Sequence, residues 1–146
     1  GNGASAMNEN ENVQLIKGFF AASSAATGAA LSIVAADVDW QSPATRSWPA
    51  EITWAAPRHT REQVAKFFQE LNEKVQPERM ELSTIVAQGE SVVVEGCNRG
   101  RARGTGRSFE HGWVMLFTIR DGLVVRHRHY YDTAEIVGAF RSSSKE

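Results

Sequence analysis

The second half of the chain carries four strand-like segments in close succession, and this succession limits the fold more than any other feature. The predicted strands span residues 80–87, 91–103, 107–119 and 123–131. Asp121-Gly122 predicts a tight turn between the last two segments. Helical patterns precede this run. Helices followed by consecutive strands predict an α+β domain, with an antiparallel sheet wrapped around helices.

The first half predicts two helices and one short strand. Val13, Ile16 and Phe20 share one helical face, so a first helix is expected after the polar run 8–12, ending near residue 28. Residues 29–36 predict a second, short helix, and residues 38–42 predict a short strand that ends at Pro43.

Two further helices are indicated by capping residues. Thr60 and Gln63 have the spacing of a capping box, and the helix that they open is expected to reach about residue 75, before Pro77. Asp132 or Thr133 is a candidate cap for a last helix that ends at residue 140. The chain is therefore expected to have three to four helices.

Composition limits the partners and the compartment. A chain of 146 residues with 42% hydrophobic and 23% charged residues is typical of one globular domain. A net charge of -1 excludes a global attraction to nucleic acid or anionic lipid. Cys97 is the single cysteine, which favours a reducing, cytoplasmic setting. Residues 1–7 are interpreted as a cloning remnant, and residues 8–146 as one domain.

The last predicted strand places ionisable rings on one face. Alternate side chains of a strand share a face, so Val125, His127, His129 and Tyr131 are expected to point inward. The opposite face then carries Val124, Arg126, Arg128 and Tyr130. Imidazoles exchange protons near neutral pH, with an unperturbed pKa of roughly 6.5. This strand is therefore the first candidate for acid-base chemistry.

Aromatic residues indicate a pocket around these rings. His111, Trp113, Met115 and Phe117 alternate on the preceding strand and are expected on its inward face, as pocket lining or as plain core. The proline-rich segment 43–59 predicts a long loop that acts as a lid carrying Trp54, and Trp40 is a candidate for the pocket wall.

Three other interpretations of the polar residues stay open. His127 and His129 are a pair of candidate metal ligands, but zinc requires three or four, and His111 is the available third. Cys97 lacks a context that would activate it as a nucleophile. The four arginines between residues 99 and 107 form either a solvated turn or a site for an anionic group.

Three segments resemble the nuclear transport factor 2-like superfamily, which includes ketosteroid isomerase, limonene epoxide hydrolase and the SnoaL-like polyketide cyclases. They read ALSIVAADVDWQSP, EITWAAPRHTREQVAKFFQEL and IRDGLVVRHRHYYDTAEI. The resemblance covers about residues 12 to 140. It implies a cone-shaped domain, the cystatin-like roll, in which a curved sheet encloses a small-molecule pocket. It also implies a homodimer formed through the outer face of the sheet at Arg126, Arg128 or Tyr130.

The same resemblance assigns pocket positions. The isomerase base would fall at Ser42, and its oxyanion donors at Phe19 and Met115. The epoxide hydrolase acid, arginine and base would fall at Asn98, Gly96 and His129, with its other water-holding positions at Trp40 and Ser42. The SnoaL-like catalytic aspartate also falls at His129, and a neighbouring family histidine falls at His127.

The residues at these positions imply a chemistry that differs from that of the isomerase and the hydrolase. No position keeps the isomerase or hydrolase residue types, whereas His129 occupies the base position of two branches. We therefore expect His129, assisted by His127, to perform cofactor-free acid-base chemistry on a small hydrophobic substrate: isomerisation, aldol-type cyclisation, or the addition of water to an epoxide. The alternative is a non-catalytic module that binds a ligand or dimerises. No metal is expected.

The residues expected to contact substrate are Phe19, Trp40, Ser42, Trp54, Asn98, His111, Trp113, Met115, Phe117 and Tyr131.

Overall fold

The computed structural model describes residues 2–25 and 27–141, which form four helices and five strands. The helices are α1 (Asn2–Ala25), α2 (Thr27–Leu31), α3 (Arg61–Lys74) and α4 (Thr133–Phe140). The strands are β1 (Val34–Gln41), β2 (Val75–Gln88), β3 (Ser91–Ala102), β4 (Ser108–Arg120) and β5 (Leu123–Tyr131). None of the described helices combines the length and apolarity needed to cross a membrane.

The strands form one curved, open sheet in the order β1-β5-β4-β3-β2, and the predicted α+β class is confirmed. Neighbours from β2 to β5 pair antiparallel, as consecutive hairpins require. The fourth pairing differs from the expected antiparallel sheet, because β1 pairs with β5 in parallel. No hairpin joins these two strands, so nothing in their connection imposes an antiparallel direction.

Two boundaries differ from the sequence-based expectation in the first half. The second helix ends at Leu31, and Val34 already opens β1, so the prediction of a helix through residue 36 is wrong. Val34 and Val38 are fully buried in the core, and β-branched side chains favour such strand positions. The structure also begins α1 at Asn2, before the predicted start after the polar run.

Thr60 is confirmed as the N-cap of α3, but Pro77 does not act as the predicted stop after this helix. The Thr60 side chain accepts a hydrogen bond from the Gln63 backbone N–H at 3.1 Å. The Gln63 side chain reaches back to the His59 N–H at 2.6 Å. Pro77 lies inside β2, which begins directly after α3. Since β2 is an edge strand, it tolerates a residue that has no N–H to donate.

Aromatic side chains fill the space between the inner face of the sheet and the helices. Phe19 and Phe20 of α1 pack against Phe117, with ring centroids 5.5 Å and 6.0 Å away. The Phe20 ring stacks on Trp113 at 5.6 Å. Gly96 of β3 makes room for this indole, because a Cβ there would collide with the Trp113 ring. The core thus continues directly into the predicted pocket wall.

Strand β5 follows the predicted alternation only from His127 onward. The pairing with β4 shifts register between Thr118 and Ile119, opposite Val124 and Arg126. Val124 is fully buried, whereas Val125 is only half-buried. The expectation that Val125 shares the inward face is therefore wrong, because one irregular residue reverses the order of the faces.

Candidate functional site

Four polar rings from β4 and β5 form a continuous row on the inner side of the sheet. The ring centroids of His111 and Tyr131 are 5.1 Å apart, and those of Tyr131 and His129 are 4.7 Å apart. His127 continues the row 6.2 Å beyond His129. His127 is only 1% exposed, and His111 only 7%. The structure thus brings together the histidines that the sequence predicted.

Apolar rings enclose this row. The Trp40 ring lies 3.9 Å from that of His127, centroid to centroid, and Phe117 contacts the other side of the imidazole at 4.8 Å. Trp113 meets His129 edge-on at 5.7 Å, and its indole N–H donates to Asn98 Oδ1 at 2.9 Å. The predicted substrate-contacting residues are all at least partly buried around the row: Phe19, Trp40, Ser42, Trp54, Asn98, His111, Trp113, Met115, Phe117 and Tyr131.

A hydrogen bond from the end of β1 holds His129. Ser42 Oγ lies 2.9 Å from His129 Nδ1, and Ser42 is only 3% exposed. The carbonyl oxygen of His129 also accepts a hydrogen bond from the Ala44 N–H at 2.7 Å. The ring is fixed through Nδ1, so its other nitrogen, Nε2, is the atom available to a ligand.

Five buried polar atoms of this region make no hydrogen bond to any described residue. They are Trp40 Nε1, His111 Nδ1, His127 Nδ1, His129 Nε2 and the Tyr131 hydroxyl. Buried polar groups are normally paired, and an unpaired one costs about 1–3 kcal/mol. These five atoms could therefore form hydrogen bonds to a ligand bound in the same region. The Trp54 indole approaches the Tyr131 hydroxyl, but without the geometry of a hydrogen bond.

Burial keeps the row uncharged near neutral pH. Removal from water lowers the pKa of His129 to about 3, with a smaller contribution from His111. Removal from water also holds the pKa of His127 well below its ordinary value, and it lowers that of His111. The same cause raises the pKa of Tyr131. The interior therefore presents neutral imidazoles and a phenol that keeps its proton.

The predicted lid is tied to the domain by a residue that sequence reasoning missed. Trp54 is 3% exposed and contacts Phe140 of α4 at 5.4 Å. The Arg58 guanidinium donates to the carbonyl oxygens of Trp54 and Ala56 at 3.2 Å and 3.0 Å, and it pairs with Glu70 at 3.1 Å. The sequence signal was an arginine directly after Pro57, near the end of the predicted loop.

Neither the metal interpretation nor the cysteine interpretation gains support. Among the described residues, no group of three or more His, Cys, Asp or Glu side chains is placed to hold a metal ion. Cys97 Sγ lies 3.9 Å from Glu110, and removal from water, together with this carboxylate and that of Glu81, raises the pKa of the thiol. A raised pKa lowers the share of reactive thiolate.

Three arginines of the predicted basic hairpin form hydrogen bonds to other residues of the chain. Arg101 pairs with Glu78 at 3.1 Å. Arg103 donates to the Asn72 carbonyl at 2.9 Å, and Arg107 donates to that of Arg141 at 3.1 Å. Of these three arginines, only Arg101 has its charge neutralised by a carboxylate, and the other two bond neutral carbonyl oxygens.

A surface cleft of about 640 Å³ lies away from the histidine row, between α1 and the turns that follow β2 and β4. Exposed charged residues such as Glu11, Glu90 and Asp121 line it, together with the apolar Leu15 and Ile119. None of the five unpartnered buried atoms lies in this cleft. We therefore assign the candidate site to the interior row.

Comparison with known proteins agrees with this fold. The model of the SnoaL-like domain family matches residues 16–127. An NTF2-like protein from Burkholderia xenovorans is 34% identical, with 91% of this chain and 98% of that chain covered and a TM-score of 0.78. No curated protein matches the chain significantly.

Two more distant structures share the fold alone. A candidate polyketide cyclase from Xanthomonas campestris is 22% identical, with 92% of this chain and 99% of that chain covered and a TM-score of 0.73. An LEH-like epoxide hydrolase from M. tuberculosis is 13% identical, with 91% of each chain covered and a TM-score of 0.69.

Proposed function

The chain belongs to the SnoaL-like domain family of the NTF2-like superfamily, and on this premise we propose that it is a small-molecule enzyme that moves a proton on a largely apolar substrate. The observation that carries the proposal is the environment of His129. Its Nδ1 is held by Ser42, while its Nε2 is buried, unpartnered and next to the Tyr131 ring. No organic cofactor is part of the proposed reaction.

The proposed step is the removal of a proton from a carbon next to a carbonyl group. In the required tautomer, His129 Nδ1–H donates to Ser42 Oγ, and Nε2 carries the free electron pair. The Tyr131 hydroxyl, which keeps its proton, donates to the substrate oxygen where negative charge develops. Return of the proton from His129 to another carbon completes an isomerisation. In an aldol-type cyclisation, the enolate carbon attacks a second carbonyl, and His129 returns its proton to the alkoxide oxygen that this attack forms.

The low pKa of His129 is compatible with this role. It results from burial without a counter-charge, and the developing enolate supplies that counter-charge during the reaction. Because the free enzyme already holds the imidazole neutral, the proton acceptor is available throughout the physiological pH range. Carbon-acid chemistry is preferred over epoxide hydrolysis, because Gly96 and Asn98 stand where the resemblance places the hydrolase arginine and acid.

Binding without turnover is the second candidate. It is favoured by His127, which is 1% exposed and clamped between Trp40 and Phe117. A ring packed this tightly is a wall of the interior and is poorly placed for proton transfer. In this function the same unpartnered atoms would orient a bound ligand, and no bond would be broken.

Exchange of carbon-bound protons tests the proposal without knowledge of the natural substrate. Cyclic ketones such as 2-tetralone are dissolved in D2O, and the loss of their α-proton signals is followed by NMR. We expect the protein to accelerate exchange, and His129→Asn to slow the catalysed rate by about 10²-fold or more, as loss of a general base does. The exchange rate that the protein adds to the background should not change from about pH 5 to about pH 8, because the His129 pKa of about 3 lies below this range.

Tyr130→Phe is the matched control, since Tyr130 is half exposed on the outer face of the same strand. It should exchange at the wild-type rate. If His129→Asn exchanges as fast as wild type, His129 is not the base. If the ketones bind but the wild-type protein accelerates no exchange, the protein is a binding module.

A further inference from the structure

We propose that the interior admits an ionisable ligand, such as a phenol, an enol or an aromatic carboxylic acid, only together with one proton, so that the bound assembly is electrically neutral. The proposal deepens the proposed function, because it defines the charge state of ligands for the same histidine row.

The hydrogen-bonding groups there need an acceptor oxygen from the ligand. The Trp40 indole N–H is a donor only, and the Tyr131 hydroxyl holds a proton that no described residue accepts. Each neutral imidazole offers one donor and one acceptor, and Ser42 already uses one nitrogen of His129. An aromatic ligand with one oxygen could accept from these donors and contact the apolar rings that line the row.

No fixed charge in the interior is free to neutralise an anion. None of the five unpartnered buried atoms belongs to Asp, Glu, Lys or Arg. Arg58 is the one charged residue among the described buried side chains, and Glu70 neutralises it. Arg126 and Arg128 flank His127 along β5, but neither is among the described buried side chains, and Arg128 donates to Asp39 at 2.8 Å.

The groups packed around His129 carry no fixed charge. They are His111 from β4, and His127 and Tyr131 from β5; Trp113 of β4 and Ser42 at the end of β1 complete its surroundings. Asp132 and Glu135, at the start of α4, act on His111, and Arg128 acts on His127. The carboxylates nearest the row therefore lie at its outer end.

A bare anion in this interior would lack a counter-ion, and an unpaired buried ion costs several kcal/mol. One proton, shared between the ligand oxygen and His129 Nε2, removes that cost. By linkage, the affinity should be constant below the pKa of the ligand and should fall about tenfold per pH unit above it. A site with a fixed cation would instead keep its affinity for the ligand above the ligand pKa, because the cation would pair with the anion.

Isothermal titration calorimetry with 4-nitrophenol, whose pKa lies near neutrality, tests this directly. Affinity is measured from about pH 5 to about pH 9, a window that brackets the pKa of the probe, in buffers of differing ionisation enthalpy. We expect a plateau at low pH, about a tenfold loss per unit at high pH, and the uptake of one proton in the alkaline range. 2-Tetralone, which does not ionise here, is the control and should bind equally at each pH.

The proposal is overturned if the affinity for 4-nitrophenol is unchanged or rises above its pKa, or if no proton is taken up. If 2-tetralone binds while 4-nitrophenol shows either result, only this inference fails, and the proposed function stands. If neither probe binds at any pH, the interior is not a ligand site, and both proposals fail.

Discussion

The residues of the candidate site show how burial determines what a histidine can do. At the position where related branches are expected to carry an acid, this chain has His129, and no carboxylate is among the unpartnered interior groups. Removal from water therefore dominates, and the imidazoles stay neutral. A neutral base beside a protonated phenol is suited to carbon acids, whose negative charge appears only during the reaction.

The same burial makes the folded protein sensitive to acid. A depressed pKa in the folded state means that the unfolded chain binds more protons. The stabilisation is then complete above the unfolded pKa of about 6.5 and is lost as pH falls toward the folded value. For each such imidazole, the free energy of unfolding falls by roughly 1.4 kcal/mol per pH unit in this range.

We expect His127→Phe to weaken this acid sensitivity, because it removes one buried imidazole and keeps an aromatic ring. Urea unfolding at a series of pH values below about 6.5 should give a shallower decline of the unfolding free energy than in wild type. Phe117→Leu, which alters the neighbouring ring without removing a titrating group, should lower stability by a similar amount at every pH. If the plots of unfolding free energy against pH are parallel for wild type and His127→Phe, the pKa of His127 is not lowered by folding.

For single residues, the sequence predicted which rings point inward, but it did not predict which residues form hydrogen bonds with them. Strand alternation was enough to place His127, His129 and Tyr131 together. The Ser42 hydrogen bond was missed, because it joins residues 87 positions apart and depends on the parallel pairing of β1 with β5. Long-range partners of this kind have no local sequence signal.

At the scale of elements, the fit between β3 and β4 positions the pocket wall. Trp113 covers Gly96 across the strand pair, and its indole then reaches Asn98. This arrangement requires a residue without a side chain at position 96. The pocket wall is thus set by one glycine of the neighbouring strand.

Gly96→Ala is expected to destabilise the protein by about 1–3 kcal/mol, as overpacking of a core does. The added Cβ would come within 2.5 Å of the Glu81 carbonyl oxygen and collide with the Trp113 ring. Gly112→Ala is the control, because its nearest neighbour atom would be 3.9 Å away. Chemical denaturation followed by tryptophan fluorescence compares the two. Equal unfolding free energies for the two variants would show that Gly96 does not hold this place for Trp113.

Element types were more predictable than element boundaries. The four strands from β2 to β5 and the capped helix α3 follow from side-chain periodicity and capping residues. The start of β1 was placed too late, because residues 29–36 contain alanines that suit either state, and the parallel partner β5 decides between them. The irregularity at Val125 likewise depends on the pairing with β4.

At the scale of the whole molecule, the helices cover one side of the sheet and leave the other accessible. Val86 and Tyr130 are 54% and 50% exposed on that outer face. The register pairs Val86 with Val93, and Val93 with Leu116, so that an apolar row crosses three strands. Arg128, one of the residues expected to contact a partner, is instead bound to Asp39.

We expect the protein to form a homodimer through this outer face, with Tyr130 near its centre. Tyr130→Glu would then bury a charge against apolar surface and should give a monomer in sedimentation equilibrium at tens of micromolar protein. Met80→Glu is the control, since Met80 is also exposed, at 42%, but lies opposite Asn98 on the inner side of the sheet. A wild-type monomer at the same concentration would contradict the expectation.

The central claim is that His129 is neutral and that its buried Nε2 is available to a ligand, and imidazole NMR tests it most directly. In protein with 15N-labelled histidine, the His129 nitrogens should keep neutral chemical shifts down to about pH 4, since the His129 pKa is about 3. Addition of 2-tetralone should shift Nε2 more than Nδ1, which Ser42 already holds. His129→Asn identifies the signals. Titration of His129 near its ordinary pKa of about 6.5, with no response to the ketone, would contradict the account.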